Sequence, residues 1–366
     1  MSLQLDIPEE LFDPKPFYRT RESAEAVLRE IKEHIKRTGE PHTWRHHTHS
    51  KPVTGSRIVY IGQFDLPPSH QAPDRHAPCP CCSPKAPKFS RGGKIAWFPD
   101  EHVIRMIGPE CFQTLNPEGH WEALAQFDRE EAERRTISYL INNLHLNVPA
   151  RETIERAMPV LEAVDDVHAR LQQRINEVLH LDIWRHVGRG MLNVNVMGRR
   201  MRRLRGGGEE IEDFMDVRQL SEFPGYQMFN PKTSRLASRI KGFAKRLSLI
   251  DFGDEVQERV RAMTTEEQAK AARILSKGIS SAEGIFGEAT AIRAGFSGMS
   301  IAALKGWTRH EGCPIRLFVS GDESNFYIGT DEHHALRIEL PPIFGRGFGD
   351  LPRISTVAAW DQDVAN

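Results

Sequence analysis

The hydrophobic pattern of the N-terminal third predicts one helix and several strands. Residues 22–37 carry apolar side chains at roughly helical spacing, which predicts an amphipathic helix. Residues 56–64 are rich in β-branched and aromatic side chains, as strands are. Residues 94–108 hold two apolar runs around the turn-like sequence Pro-Asp-Glu-His, which indicates a β-hairpin. Pro109 then favours the opening of a short helix.

The pattern becomes helical from Trp121 onward and contains two long apolar seams. Each seam steps by three and four residues, and the second is preceded by a capping box of Thr264 and Glu267. Their members are Leu161, Val164, His168, Leu171, Ile175 and Val178, and then Ala272, Leu275, Ile279, Ala282, Phe286 and Ala289. The seams are consistent with an antiparallel, coiled-coil-like arm, and equally with two core helices of a bundle.

A different pattern separates the seams. Residues 191–220 read as strand, glycine turn and strand, with a basic first arm and an acidic second arm that would attract each other across the pair. Residues 313–342 alternate as further strands.

The resulting prediction is an α+β fold with a small N-terminal zinc region, long central helices around an inserted basic hairpin, and a C-terminal antiparallel β segment. The expected divisions are 1–120, 121–190, 191–250, 251–295 and 296–366.

The composition adds little to this prediction, apart from the number and placement of the cysteines. The 366 residues are 39% hydrophobic and 27% charged, with a formal net charge of −1, so the total charge favours neither acidic nor basic partners. No run of about eighteen apolar residues occurs, and the acidic start is unlike a signal peptide, so we expect a cytoplasmic protein without a membrane partner. Five cysteines are too few and odd in number for a secreted disulfide framework.

Three of the five cysteines stand within four positions. Cys79 and Cys82 form a C-x-x-C pair, a spacing that directs two thiolates at one ion, and Cys111 follows near the predicted helix start. A redox pair would need this sequence to open a helix, which the surrounding prolines oppose. The cluster therefore predicts a structural Zn²⁺ site that contributes folding free energy to a proline-rich region.

The order of a cysteine loop, a hairpin and a cysteine at a helix resembles treble-clef zinc fingers over residues 76–120 only. The resemblance implies a structural zinc ion with two helix-borne ligands, but Thr114 stands where the second would be. The fourth ligand must come from elsewhere. His120 is the first choice, and His76 and Cys81 remain alternatives.

Two stretches are strongly basic and suit phosphate backbones. Residues 198–205 hold five arginines, and residues 232–246 hold six basic residues without an acid, at the spacing of a basic amphipathic helix. The candidate nucleic-acid contacts are Arg199, Arg200, Arg202, Arg203, Arg205, Arg235, Arg239, Lys241, Lys245 and Arg246. Tyr226 and Phe229 are candidates for stacking on unpaired bases. The acidic segment 209–216 could instead neutralise the first stretch within the fold.

The chain shows no strong catalytic motif. It contains no phosphate loop, no H-E-x-x-H and no G-x-S-x-G. Weaker candidates are the histidine-rich residues 42–49, the turn 331–334, and Cys313 near His310.

We therefore expect a nucleic-acid-binding protein, for DNA or RNA, more readily than an enzyme. The alternatives are an assembly or adaptor subunit of a larger bacterial or viral complex, which binds a protein partner or itself through the seams, and a metal-dependent hydrolase that uses residues 42–49.

Overall fold

The computed structural model describes residues 7–13, 17–68, 77–89, 91–180, 182–203, 207, 209–233, 235–251, 253 and 255–354. Long helices and small antiparallel sheets confirm the predicted α+β class. The chain divides into two compact units, Met1–Arg135 and Thr136–Asn366, and the boundary falls within one long helix.

The first unit is a small sheet with helices beside it. Its helices are α1 (Arg21–Glu25), α2 (Leu28–Thr38) and the first part of α3 (Pro117–Asn143). Its strands are β1 (Val59–Asp65), β2 (Ala77–Cys79), β3 (Ser83–Phe89), β4 (Gly92–Phe98) and β5 (Val103–Ile107). The order β1-β4-β5 forms one antiparallel sheet, and β2 and β3 pair as a separate hairpin.

The hairpin predicted over residues 94–108 is confirmed. Phe98 pairs with Val103, and the turn places His102 in the left-handed region with φ 55°. All five residues of β5 are buried. This includes Arg105, whose guanidinium donates to the Ser50 carbonyl at 2.8 Å and pairs with Glu101 at 2.6 Å. A buried charge is tolerated here because carboxylate and carbonyl partners compensate it.

The helix expected at Pro109 is absent. Residues 109–115 form successive turns, and α3 begins only at Pro117. Asn116 fixes this start, because its side-chain oxygen accepts the N–H of Gly119 at 3.0 Å, as an N-cap does. Cys111 therefore lies in a turn and not at a helix N-terminus.

The second unit is dominated by helices. After the rest of α3 they are α4 (Asn147–Arg174), α5 (Ile183–Val187), α6 (Leu236–Leu247), α7 (Val256–Ala262), α8 (Thr265–Ala294) and α9 (Gly298–Arg309). The strands are β6 (Met191–Arg203), β7 (Glu209–Glu222), β8 (Phe318–Gly321), β9 (Asn325–Gly329) and β10 (Leu336–Glu339). β6 and β7 form a long hairpin, and β8, β9 and β10 form a meander. No helix in the described ranges is both long enough and apolar enough to cross a membrane.

The two apolar seams lie on α8 and on α4 with the π-helical turn Ile175–Leu179 that continues it, and they belong to one shared core. Both helices contact α6 as well as each other, and their buried residues join those of β8–β10. A two-stranded coiled coil would bury its seam against one partner helix only. The coiled-coil interpretation therefore has no support, and the seams are core faces of a multi-helix unit.

Candidate functional site

Three cysteines of the first unit meet at one point. The sulfur atoms of Cys79, Cys82 and Cys111 lie within 4.8 Å of one another. Cys79 ends β2, and a tight turn in which the Cys82 N–H donates to the Cys79 carbonyl at 3.3 Å brings Cys82 back beside it. β2 lies against β5, and the turn after β5 delivers Cys111.

Neighbouring thiols and backbone N–H groups favour a thiolate at Cys79. Hydrogen bonds from the thiols of Cys111 and Cys81, and from the backbone N–H groups of Gly108 and Cys81, lower the pKa of Cys79 far below its usual value. The same thiol contacts, together with burial, raise the pKa of Cys111 and of Cys81. Hydrogen-bond donors thus surround the Cys79 sulfur, and adjacent thiolates would repel one another unless a cation lay between them.

Gly108 makes room for the cluster. A β-carbon at Gly108 would lie 2.5 Å from the Cys111 sulfur, closer than atoms can approach. A soft or borderline metal ion fits this site for three reasons. The sulfur atoms are close together, N–H groups donate to sulfur, and two of the three thiols are buried. Among the described residues this is the group whose spacing would hold a metal ion.

The three candidates for a fourth ligand differ in their surroundings. Cys81 is 3% exposed and its thiol hydrogen-bonds to Cys79. His120 is buried, and its Nδ1 shares a 2.7 Å hydrogen bond with the Tyr60 hydroxyl, while its Nε2 is buried without a hydrogen-bond partner. Burial, together with the nearby cysteines, raises the pKa of Tyr60. Tyr60 therefore lies between His120 and the thiols. His76 lies outside the described residues.

The histidine-rich segment is a buried part of this region and not an exposed loop. The Met106 N–H donates to Nδ1 of His47 at 3.3 Å, so His47 carries its proton on Nε2. That Nε2 bonds Nδ1 of His49 at 2.9 Å, and Nε2 of His49 donates to the Pro84 carbonyl at 2.6 Å. Burial lowers the pKa of His49, which keeps it neutral.

This chain of two imidazoles ties β5 to β3, directly beside the cysteine turn. Both nitrogens of His49 are engaged, so it is not poised as a metal ligand or as a general base. The alternation of His47 and His49 was a signal that both could point the same way, but their partners come from distant strands and sequence reasoning missed them.

The other catalytic candidates also form hydrogen bonds with neighbouring residues. His334 bonds Asp331 at 2.8 Å in an exposed turn of the second unit. The Cys313 thiol donates to the Ile315 carbonyl at 3.1 Å, and burial raises its pKa. His310 accepts the Gly312 N–H at 3.0 Å. Neither arrangement activates a nucleophile.

The basic arm of the β6–β7 hairpin faces the acidic arm, as its sequence predicted. Arginines 199, 200, 202 and 203 stand opposite Asp213, Glu212, Glu210 and Glu209. Arg199 pairs with Asp213 at 3.2 Å and Arg200 with Glu212 at 3.0 Å. Opposed carboxylates cancel most of the positive field that a phosphate would meet. Arg205 lies outside the described residues.

The second basic stretch forms α6 and is amphipathic as predicted. Leu236, Ile240 and Leu247 are buried, while Arg235, Arg239, Lys241, Lys245 and Arg246 are exposed. Arg239 pairs with Glu288 at 2.7 Å. Asp165 of α4 accepts the N–H groups of Leu236 and Ala237, both at 2.9 Å, and so anchors the positive end of the helix.

A groove runs between α4 and α6. On the α6 side its lining residues repeat at helical spacing and are Ser238, Lys241, Gly242, Ala244, Lys245 and Ser248, and the α4 side contributes Arg151, Ile154, Glu155 and Met158. Arg151 is held by Asp251 at 2.7 Å. Of the two aromatic candidates for base stacking, Phe229 is buried in the core and Tyr226 is stacked on Trp184.

Comparison of the chain with protein-family models, with curated proteins and with solved structures found no match. The functional argument therefore rests on the geometry of the cysteine cluster and of the charged surfaces.

Proposed function

We propose that this protein binds nucleic acid through α6 and that a structural zinc ion organises its first unit. The observation that supports the zinc is the meeting of Cys79, Cys82 and Cys111 within 4.8 Å. Zinc is the ion that tetrahedral thiolate sites usually hold in reducing compartments, where five unpaired thiols persist.

Cys81 is the best candidate for the fourth ligand. It is buried against the Cys79 sulfur, whereas the Tyr60 side chain separates His120 from the thiols. When bound, the ion would let all these thiols ionise together and would cross-link the β2–β3 turn to the turn after β5. Such a closed set of four protein ligands serves stability and leaves no position for a substrate.

Cobalt substitution tests the ligand set. Titration of Cys81→Ser and His120→Gln with Co²⁺, followed by absorption spectroscopy, reports both affinity and the number of thiolate ligands. We expect Cys81→Ser to weaken binding and to lose thiolate-to-metal absorption, while His120→Gln leaves both nearly unchanged. The opposite ranking would assign the fourth position to His120, and unaltered binding in a Cys111→Ser variant would refute the site.

The observation that supports nucleic-acid binding is the exposed basic face of α6. Lys241 and Lys245 line the groove one helical turn apart, between the hydroxyl groups of Ser238 and Ser248. Ammonium and hydroxyl groups contact phosphate oxygens without reading base edges. The proposed contact is therefore with the backbone and is largely independent of sequence. The hairpin arginines, which face carboxylates, contribute little to it.

Fluorescence anisotropy with labelled single- and double-stranded oligonucleotides tests this role across a range of salt concentrations. Lys241→Gln combined with Lys245→Gln should weaken binding and reduce the salt slope by up to about two, roughly one for each lost phosphate contact. Arg199→Gln combined with Arg200→Gln is the control, since it removes the same charge from the hairpin. No binding at low salt, or equal losses in the two double variants, would contradict the proposal.

A further inference from the structure

The β6–β7 hairpin exposes an apolar stripe that the proposed function does not use. Half of the twelve large exposed apolar side chains among the described residues lie on this hairpin. Five of the six form the stripe, each at least 62% exposed: Met197, Met201, Ile211, Met215 and Val217. Patches of this kind mark interaction surfaces.

Pairing register places the stripe on a single face. Met197 lies opposite Met215 and Met201 opposite Ile211, and the residue numbers on each strand differ by two or four, so their side chains share one face of the ribbon. Arg199 and Asp213 form the cross-strand pair between these two apolar pairs. The opposite face is covered in part, since Phe214 lies against Gly198 and under the Arg200 guanidinium at 5.3 Å.

The charges of the hairpin exclude several occupants of the stripe. Its strands carry five arginines at positions 199, 200, 202, 203 and 218, the connecting sequence adds Arg205, and six acids at 209, 210, 212, 213, 216 and 222 balance them. A ribbon without net positive charge offers little attraction to phosphate backbones or anionic lipid surfaces. A complementary partner would expose apolar side chains together with one basic strand and one acidic strand.

A second copy of this hairpin meets that requirement. We infer that two copies of the chain associate through the stripe, face to face, about a two-fold axis that runs along the strands. This rotation lays the basic strand of one copy over the acidic strand of the other. Arg199 then faces Asp213 of the second copy, and Met197 faces Met215 of the second copy. A two-fold axis across the strands would instead stack basic on basic, which electrostatic repulsion disfavours.

The size of the face sets the strength of the association. The stripe spans seven residues of each strand, 195–201 and 211–217, which gives a face about 24 Å long and about 10 Å wide, or roughly 500 Å² in total for two copies. Stable dimers bury about 1,200–2,000 Å², so this contact belongs to the weak class and should appear at micromolar concentration or above. Methionine and arginine are residues that interfaces favour.

Sedimentation velocity of the full chain, from about 1 μM to several hundred μM, tests the inference over the range where weak interfaces associate. The wild type should shift from monomer to dimer as its concentration rises. Met201→Gln combined with Met215→Gln should raise the dimer dissociation constant at least about tenfold, since the change breaks both apolar pairs of the face. Leu249→Gln combined with Met299→Gln is the matched control, because both residues are exposed outside the hairpin. A wild type that stays monomeric, or equal effects in the two double variants, would overturn the inference.

Charge reversal tests the orientation independently of the methionines. Arg199→Asp and Asp213→Arg proteins should each dimerise less than the wild type, because each brings like charges together across the axis. An equimolar mixture of the two should recover dimers, since one copy is then acidic where the other is basic. Circular dichroism confirms that both variants keep their strands. Undiminished association of Arg199→Asp alone would overturn the proposed orientation.

Discussion

Gly108→Ala is the most specific perturbation of the cysteine cluster, because it removes none of the thiol groups. The new β-carbon would meet the Cys111 sulfur at 2.5 Å, and ordinary contact begins at 3.4 Å, so one of them must move by about 0.9 Å. Metal–sulfur distances tolerate only about 0.2 Å of error. The backbone of Gly108 lies outside the left-handed region, so this clash and not backbone strain is the cause.

Gly108 also donates its N–H to the Cys79 sulfur, so the displaced backbone would weaken a second support of the thiolate. Loss of such supporting contacts typically costs 10–100-fold in metal affinity, and we expect a decrease of about that size. Competition with a chromogenic chelator measures it directly.

Gly242→Ala provides the control for the same substitution. A β-carbon there meets nothing within 4 Å, and the residue lies inside α6. Alanine should stabilise the helix by about 0.5–1 kcal/mol and leave metal affinity unchanged. Wild-type metal affinity in Gly108→Ala would refute the packing of Cys111 against this glycine.

The remaining predictions concern buried ionisable groups of the first unit. Burial lowers the pKa of His42 to about 4 in the folded protein, below its ordinary 6.5, so the unfolded chain binds the proton first. Acidification from about pH 6.5 to about pH 4 should therefore destabilise the unit by up to roughly 3 kcal/mol through this residue, and His42→Gln should flatten the pH profile of thermal unfolding. Arg105→Met leaves Glu101 without its buried partner and should reduce the opening free energy of β4–β5 amides by about 3 kcal/mol in native-state hydrogen exchange. An unchanged pH profile, or unchanged exchange, would contradict the corresponding assignment.

The sequence predicted those features whose cause is local. The C-x-x-C spacing brings Cys79 and Cys82 together through one tight turn, and the opposed charges of residues 199–203 and 209–213 set the register of the long hairpin. Both signals act over a few residues or across one turn, so no knowledge of the rest of the fold was needed.

Features that depend on distant contacts were missed. The His47–His49 chain requires the Met106 amide and the Pro84 carbonyl, which reach it only after β5 and β3 have formed. The helix predicted at Pro109 begins instead at Pro117, because the Asn116 side chain caps it seven residues later. Phe229 has an aromatic ring that could stack on a base, but it is buried in the core.

Metal analysis of the protein purified without chelators tests the central claim most directly. Elemental mass spectrometry, combined with thiol titration of the native protein, should find about one zinc per chain and protected thiols at Cys79, Cys82 and Cys111. A chain that carries no metal, and whose three clustered thiols all react freely in the native state, would contradict the account.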